Sequence, residues 1–346
     1  MDLNKYDDRG DNMRNLAATY RPRRLDDVVG QEQVKAILRT HLATKPKSAY
    51  IACGGAGTGK TTCARIFARE LNNSDTNVFE INAADNTGVD SVRKLITDAQ
   101  RKPIGTPYKI FILDECHMLT IQAWNALLKL VEEPPECVVL IFCTTDPRKI
   151  PGTITSRTLR LDFQRINVDL VTDRLMWILE QENITGVDRE SLKYIAQLAN
   201  GGMRDAISMM DKVLGYGIEV TYDLINKALG LVGSDTACNI LQAFYNHDSN
   251  TVLTTLEKLN NGSVDFKTWV QDFRRFTLQA VQIQLNVDKS LIALPPSVIE
   301  ELDKLPKDGR LFHILMTLND LVNKMVSEPD PYTLIKIIFL KMVGEF

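Results

Sequence analysis

Residues Gly54-Gly55-Ala56-Gly57-Thr58-Gly59-Lys60-Thr61 fit the pattern G-x-x-x-x-G-K-[ST], which leaves the surrounding chain little freedom. The loop follows an apolar run, Ala49 to Cys53, and opens a pattern in which Ala64, Phe67, Ala68 and Leu71 share one helix face. Strand, glycine loop and helix together make a phosphate cradle. Glycines let backbone N–H groups turn inward around an anion, and the helix N-terminus adds positive potential. Lys60 is therefore expected to meet the β- and γ-phosphates of a nucleotide, and Thr61 to ligate Mg²⁺ through its hydroxyl.

The rest of the N-terminal half alternates strand and helix signals. Val78 to Ile81 is a short strand candidate, and Val89, Val92, Ile96 and Ala99 repeat at helical spacing. Ile110 to Leu113 and Val138 to Cys143 are continuous apolar runs, as strands buried on both faces require. Leu159, Leu161 and Phe163 alternate with polar residues, like a further strand. This βαβ order predicts an α/β fold with a parallel sheet and helices on both sides.

After Arg165 the strand signals stop, and residues 168–230 suggest three or four helices interrupted at Asn200-Gly201-Gly202. Residues 231–346 hold only Gly233, Gly262, Gly309 and Gly344, whereas residues 51–60 alone hold four glycines, so the C-terminal part reads as long helices. Ala237, Ile240, Leu241 and Phe244 share a face there, as do Phe266, Trp269, Val270 and Phe273, and Leu311, Ile314, Leu315 and Leu318. With Gly230 to Asp235 as a linker, the expected division is 1–166, 167–230 and 231–346.

Composition removes several classes of function. Lys plus Arg is 41 and Asp plus Glu 44, a net charge of −3, so any nucleic-acid contact must be a local patch. None of the six cysteines forms a C-x-x-C pair, which predicts buried thiols in a reducing compartment and no zinc site. No apolar run approaches the roughly 20 residues that span a bilayer, and the most apolar stretch, Leu334 to Val343, is broken by Lys336 and Lys341. Met1 to Asn12 is acidic and polar, unlike a secretory leader. The expectation is a cytoplasmic protein without membrane contact.

Ile110 to Leu113 ends in Asp114-Glu115. Two carboxylates at the end of a buried strand need a function, since burying charge without a partner is costly. Beside a phosphate loop, Asp114 would bind Mg²⁺ directly or through water, and Glu115 would polarise the attacking water. His117 reads as a residue that packs or supports a neighbouring side chain, and not as a metal ligand. Val138 to Cys143 leads into Thr144-Thr145-Asp146, where a polar residue at a strand end could sense the γ-phosphate.

Several stretches resemble the AAA+ clamp-loader ATPases. They are Leu113-Asp114-Glu115-Cys116-His117-Met118-Leu119, then Asn125 to Pro135 (NALLKLVEEPP), then Thr144-Thr145-Asp146-Pro147-Arg148-Lys149-Ile150-Pro151. The gamma/tau subunits of the bacterial replicative polymerase are the nearest in pattern, and replication factor C small subunits are more distantly similar. Tyr20-Arg21-Pro22 and Asp27-Val28-Val29-Gly30-Gln31 resemble that family's box around the adenine. The likeness is dense from about 18 to 215; beyond 230 it rests on helical pattern alone.

The resemblance implies an AAA+ core followed by a helical lid and a helical collar that oligomerises. It implies an ATP- and Mg²⁺-dependent motor subunit of a sliding-clamp loader. Its expected partners are other loader subunits in a pentamer-like ring, the clamp and primer-template DNA. Tyr20, Arg21, Pro22, Val29, Gly54 to Thr61, Thr62 and Arg204 would bind ATP, and Thr61 and Asp114 would hold Mg²⁺. Thr145 would be the first sensor. Arg204, in Gly202-Met203-Arg204-Asp205, would reach the γ-phosphate from the lid. Arg157, in Ser156-Arg157-Thr158, would act in trans as an arginine finger on the neighbouring subunit's ATP, with Thr158 in place of the family's cysteine. Arg93 and Lys149 would touch DNA phosphates, which position without reading sequence. The amphipathic stretch Ile121 to Glu133 is expected to be mostly core, with part of it meeting the clamp or relaying DNA binding to Glu115.

The family's zinc module has no counterpart, since Asn72 to Asn77 is a short polar connection without cysteine. The chain stops where tau continues, so a minimal, zinc-free version is expected, in a bacterial cell or a phage-infected host. A different AAA+ DNA motor, for branch migration or recombination, is the alternative, though no winged-helix pattern is recognisable at the C-terminus. A non-hydrolysing stator is opposed by intact Lys60, Thr61, Asp114 and Glu115.

Overall fold

In a computed structural model of the chain, residues 15–85, 87–217, 220–230, 233–262, 264–288, 292 and 294–345 are described. The acidic stretch Met1 to Asn12 and two residues of the expected linker, Leu231 and Val232, lie outside them. The chain forms two compact units. One holds the residues up to Thr185 together with Ile195–Asp211; the other holds Gly186–Tyr194 and the residues from Lys212 onward.

The first unit is built on strands β1 (Ala49–Gly54), β2 (Val78–Asn82), β3 (Lys109–Asp114), β4 (Val138–Thr144) and β5 (Leu159–Phe163). They form a parallel sheet in the order β2-β3-β4-β1-β5. Helices α1 (Leu16–Thr19), α2 (Glu32–Ala43), α3 (Lys60–Asn72), α4 (Val89–Ala99), α5 (Ile121–Glu132), α6 (Gly152–Thr155) and α7 (Val168–Gln181) accompany it; α8 (Arg189–Leu198) and α9 (Met203–Leu214) follow, and the division between the units falls within each of them.

The continuous apolar runs are explained by burial on two faces. Side chains of a strand alternate. Ile51, Phe111, Leu113, Leu140 and Phe142 therefore pack on one face with Val92 and Leu95 of α4 and Leu127 of α5. Tyr50, Ala52, Ile110, Ile112, Val139 and Ile141 pack on the other face with Leu38 of α2 and Phe67 of α3. Edge strand β2 lacks one neighbour, and its residues are half-buried or exposed.

The second unit is helical: α10 (Tyr222–Leu229), α11 (Ser234–Tyr245), α12 (Ser249–Asn261), α13 (Phe266–Gln284), α14 (Pro296–Asp303), α15 (Arg310–Lys324) and α16 (Pro331–Glu345). The helix faces expected from spacing are buried in its core. Trp269 stacks on Phe273 at 5.4 Å between ring centres, and Phe244 meets Phe339 edge-on at 5.3 Å. Leu315 alone among the expected face residues is only partly buried. Among the described residues, no helix is long and apolar enough to cross a membrane.

Candidate nucleotide site

The strand order decides the site. β3, β4 and β1 are neighbours, so their carboxyl ends lie side by side and bring Asp114, Thr144 and Gly54 to one edge of the sheet. Gly54 closes β1 where the backbone of β5 passes. A Cβ there would lie 2.4 Å from the Phe163 carbonyl oxygen and 2.8 Å from Phe163 Cβ. Gly54→Ala must therefore displace main chain, and is expected to lower stability by about 1–3 kcal/mol; thermal melting checks this.

Further along the loop, Gly57 has φ +68 and its missing Cβ would fall 3.0 Å from Gly202 Cα. The amide of Met203 donates to the Gly57 carbonyl at 3.0 Å. The loop is thus docked on the glycine turn that opens α9, with Arg204 in that helix's first turn and exposed. The Arg204 charge also acts on Arg21. Burial, then Arg65 and then Arg204 hold the Arg21 guanidinium below its ordinary pKa.

Lys60 begins α3 and is buried, 6% exposed, with Nζ donating to the carbonyls of Gly54 at 2.9 Å and Gly55 at 2.7 Å. Burial holds its pKa below the ordinary lysine value, opposed first by the negative charge of Glu115. Thr61 Oγ1 donates to Asp114 Oδ2 at 2.8 Å, and the Glu115 amide donates to Asp114 Oδ1 at 3.0 Å. A hydroxyl and a carboxylate this close are hard oxygen donors of the kind Mg²⁺ takes, so these residues fit the ion.

Glu115 sits in the left-handed region, φ 47, and its Oε2 accepts from Thr145 Oγ1 at 3.2 Å. His117 Nδ1 lies 3.3 Å from both Glu115 Oε2 and Thr144 Oγ1. Its half-buried ring supports the glutamate side chain from the next turn. Thr58 and Gly59 complete the loop, with Thr58 Oγ1 on the Gly55 carbonyl at 2.9 Å and Gly59 at φ 101 before α3; Gly55 and Ala56 are exposed at its tip.

The N-terminal box approaches the same helix. Arg21 Nε donates to Thr62 Oγ1 at 3.0 Å; Pro22, the next residue, and Val29 are half-buried. Tyr20 donates its hydroxyl to Glu182 Oε1 at 2.7 Å and meets Trp177 edge-on at 5.7 Å. Arg174 lies over the Trp177 ring at 4.0 Å and donates to the Tyr20 carbonyl at 3.3 Å.

The remaining expected residues lie apart from this cluster. Arg157 Nη2 pairs with Glu132 Oε1 at 3.0 Å, and Nη1 donates to the Thr153 carbonyl at 2.9 Å and to Ser156 Oγ at 3.2 Å. Arg93 is exposed beside Asp90 at 3.4 Å, and Lys149 is exposed at the end of the 3₁₀ turn Pro147–Lys149. Among the described residues, no hydrogen bond or ion pair links Arg93, Lys149 or Arg157 to the phosphate loop.

The six cysteines are free thiols. Burial raises Cys63 to about 12 and Cys116 and Cys143 well above the usual thiol range, so they are poor nucleophiles. Among the described residues, no group of three or more His, Cys, Asp or Glu is placed to hold a metal ion by itself.

Sequence reasoning assigned no role to Gln31, which ties the box to the loop. Its Nε2 donates to the Thr58 carbonyl at 3.3 Å and the Gln164 carbonyl at 2.7 Å, and its Oε1 accepts from the Gln164 amide at 3.1 Å. The only signal was its place in the Asp27 to Gln31 stretch.

Two family models match the chain: the DNA polymerase III delta subunit over residues 71–167, and the ATPase lid domain of the DNA polymerase III clamp loader subunit over 170–219. DNA polymerase III subunit tau of Bacillus subtilis is 39% identical over 71% of this chain and 47% of its own length. The tau subunit of Escherichia coli is 30% identical over 78% of this chain and 46% of its own. The gamma subunit of Buchnera aphidicola is 29% identical over 89% of this chain and 86% of its own. The chain spans about half the length of most of the curated relatives it matches. Among solved structures, the Thermotoga maritima RuvB Holliday junction branch migration motor matches with a TM-score of 0.52 and 19% identity, over 78% of this chain and 99% of that one, a likeness of fold alone. The chain belongs to the clamp-loader family of AAA+ ATPases, alongside the DNA polymerase III gamma and tau subunits.

Proposed function

We propose that this chain is an ATP-hydrolysing motor subunit of a sliding-clamp loader. The observation that carries the reading is the convergence of Lys60, Thr61, Asp114, Glu115 and Thr145 at the ends of three adjacent strands, in a chain of this family. Loop amides and Lys60 bind the phosphates, while Tyr20, Arg21, Pro22 and Val29 border the base. Thr61 and Asp114 would hold Mg²⁺, which would supply neutralisation of the phosphate charge. Glu115, held by Thr145, orients the attacking water and takes up its proton. Thr145 and Arg204 sense the γ-phosphate, and Arg157 of one subunit completes the site of the next.

In this reading residues 1–166, 167–230 and 231–346 act as core, lid and collar. ATP binding assembles a pentamer-like ring that holds an open clamp. Arrival of primer-template DNA, touched by Arg93 and Lys149, triggers hydrolysis and release. The setting is a bacterial cytoplasm or a phage-infected host.

The test is steady-state ATPase activity of the chain with its partner subunits, with and without primer-template DNA and a sliding clamp. Strong stimulation that needs both is the expected result. Turnover stimulated by duplex or branched DNA and indifferent to the clamp would turn the reading towards a remodelling motor. Glu115→Gln is expected to keep nucleotide affinity and slow stimulated turnover by about 10²-fold. Single-turnover hydrolysis measures it, and an unchanged rate would remove Glu115 from its role.

A further inference from the structure

Arg157 is held in place by its own chain. Its guanidinium carries five N–H donors. Nη1 uses its two on the Thr153 carbonyl and Ser156 Oγ, and Nη2 is ion-paired with Glu132 Oε1 at 3.0 Å. Among the described residues, neither the Nε–H nor the Nη2–H groups donate a hydrogen bond, so they are left to an incoming acceptor.

Glu132 is the last residue of α5, a position that disfavours a carboxylate because the helix end is already partly negative. The next residue, Glu133, adds like charge, and Pro134-Pro135 ends the helix. A carboxylate placed there gains its compensation from a cation, and the cation it meets is Arg157. Both side chains remain about two-fifths exposed, 42% for Arg157 and 40% for Glu132, so the pair faces solvent instead of filling a core. An exposed pair of this kind adds little to stability. What it fixes is direction: a long, flexible arginine is held by two hydrogen bonds and one ion pair, with the Nε and Nη2 donors left over.

We propose that Glu132 is the positioning residue for Arg157, holding the guanidinium so that its remaining donors face an anionic oxygen supplied from outside the chain. This rests on the reading of Arg157 as a finger acting on the neighbouring subunit's triphosphate. Glu132 itself touches no substrate. It lowers the freedom the arginine must lose when the neighbour's phosphate arrives.

The test uses the full chain assembled with its partner subunits, ATP, a sliding clamp and primer-template DNA. It compares Glu132→Ala, Glu132→Gln, Arg157→Ala and the double variant Glu132→Ala/Arg157→Ala. Glu132→Ala is expected to lower kcat about tenfold with little change in KM, as misplacing a catalytic group does. Glu132→Gln, which keeps an acceptor oxygen in place, is expected to recover most of that loss. The double variant is expected to be no slower than Arg157→Ala alone, because residues acting as a unit are not additive. Nucleotide affinity and melting temperature of each variant report folding.

Full turnover in Glu132→Ala, or a double variant slower than Arg157→Ala by the whole Glu132→Ala factor, would overturn the proposal. Full turnover in Arg157→Ala would instead remove the finger itself, and with it anything for Glu132 to position.

Discussion

Lys60→Ala is expected to weaken ATP binding by about 10³-fold, roughly 4 kcal/mol from the loss of two charge-assisted hydrogen bonds to phosphate. The buried ammonium is at present held by the carbonyls of Gly54 and Gly55. It must exchange those acceptors for phosphate oxygens, and burial favours the exchange because charge attracts more strongly away from water. Alanine removes the charge and leaves the loop's backbone amides without the buried ammonium beside them. Equilibrium binding of a fluorescent ATP analogue measures the loss. Normal affinity in a variant that melts like the starting chain would defeat the assignment of this loop as the nucleotide site.

Arg157→Ala is expected to separate binding from turnover. No bond among the described residues joins Arg157 to its own phosphate loop; its partners are Glu132, Thr153 and Ser156. Nucleotide affinity of the isolated chain should therefore persist. Turnover stimulated by DNA and clamp should fall by about 10³–10⁵-fold, the range an arginine finger contributes in comparable NTPases. A mixing experiment gives a sharper readout. Arg157→Ala subunits supply intact loops and Lys60→Ala subunits supply intact fingers, so mixed assemblies should regain part of the activity that each lacks alone. Recovery requires that the arginine of one subunit serve the site of another. No recovery in mixed assemblies of normal size would place its action within its own chain.

The local parts of this protein were legible in the sequence. Five strands, the helices between them and the all-helical C-terminal part follow from hydrophobic periodicity. The continuous runs at Ile110 to Leu113 and Val138 to Cys143 identify strands covered on both faces. The glycine loop and the Asp114-Glu115 pair are visible as patterns over a few consecutive positions, because each is made of neighbours in the chain.

Tertiary structure decided how the distant pieces meet. The strand order β2-β3-β4-β1-β5 sets Thr61 against Asp114, 53 positions away, and Thr145 against Glu115, 30 away. Gln31 reaches Gln164 across 133 positions, and the Gly57 turn docks on Gly202 because both lack a Cβ. Glu132 meets Arg157 only because α5 and the turn before β5 end close together. Such pairings depend on which strands and helices become neighbours. Periodicity carries no information on that choice, since it records only which face of an element is buried and not what buries it.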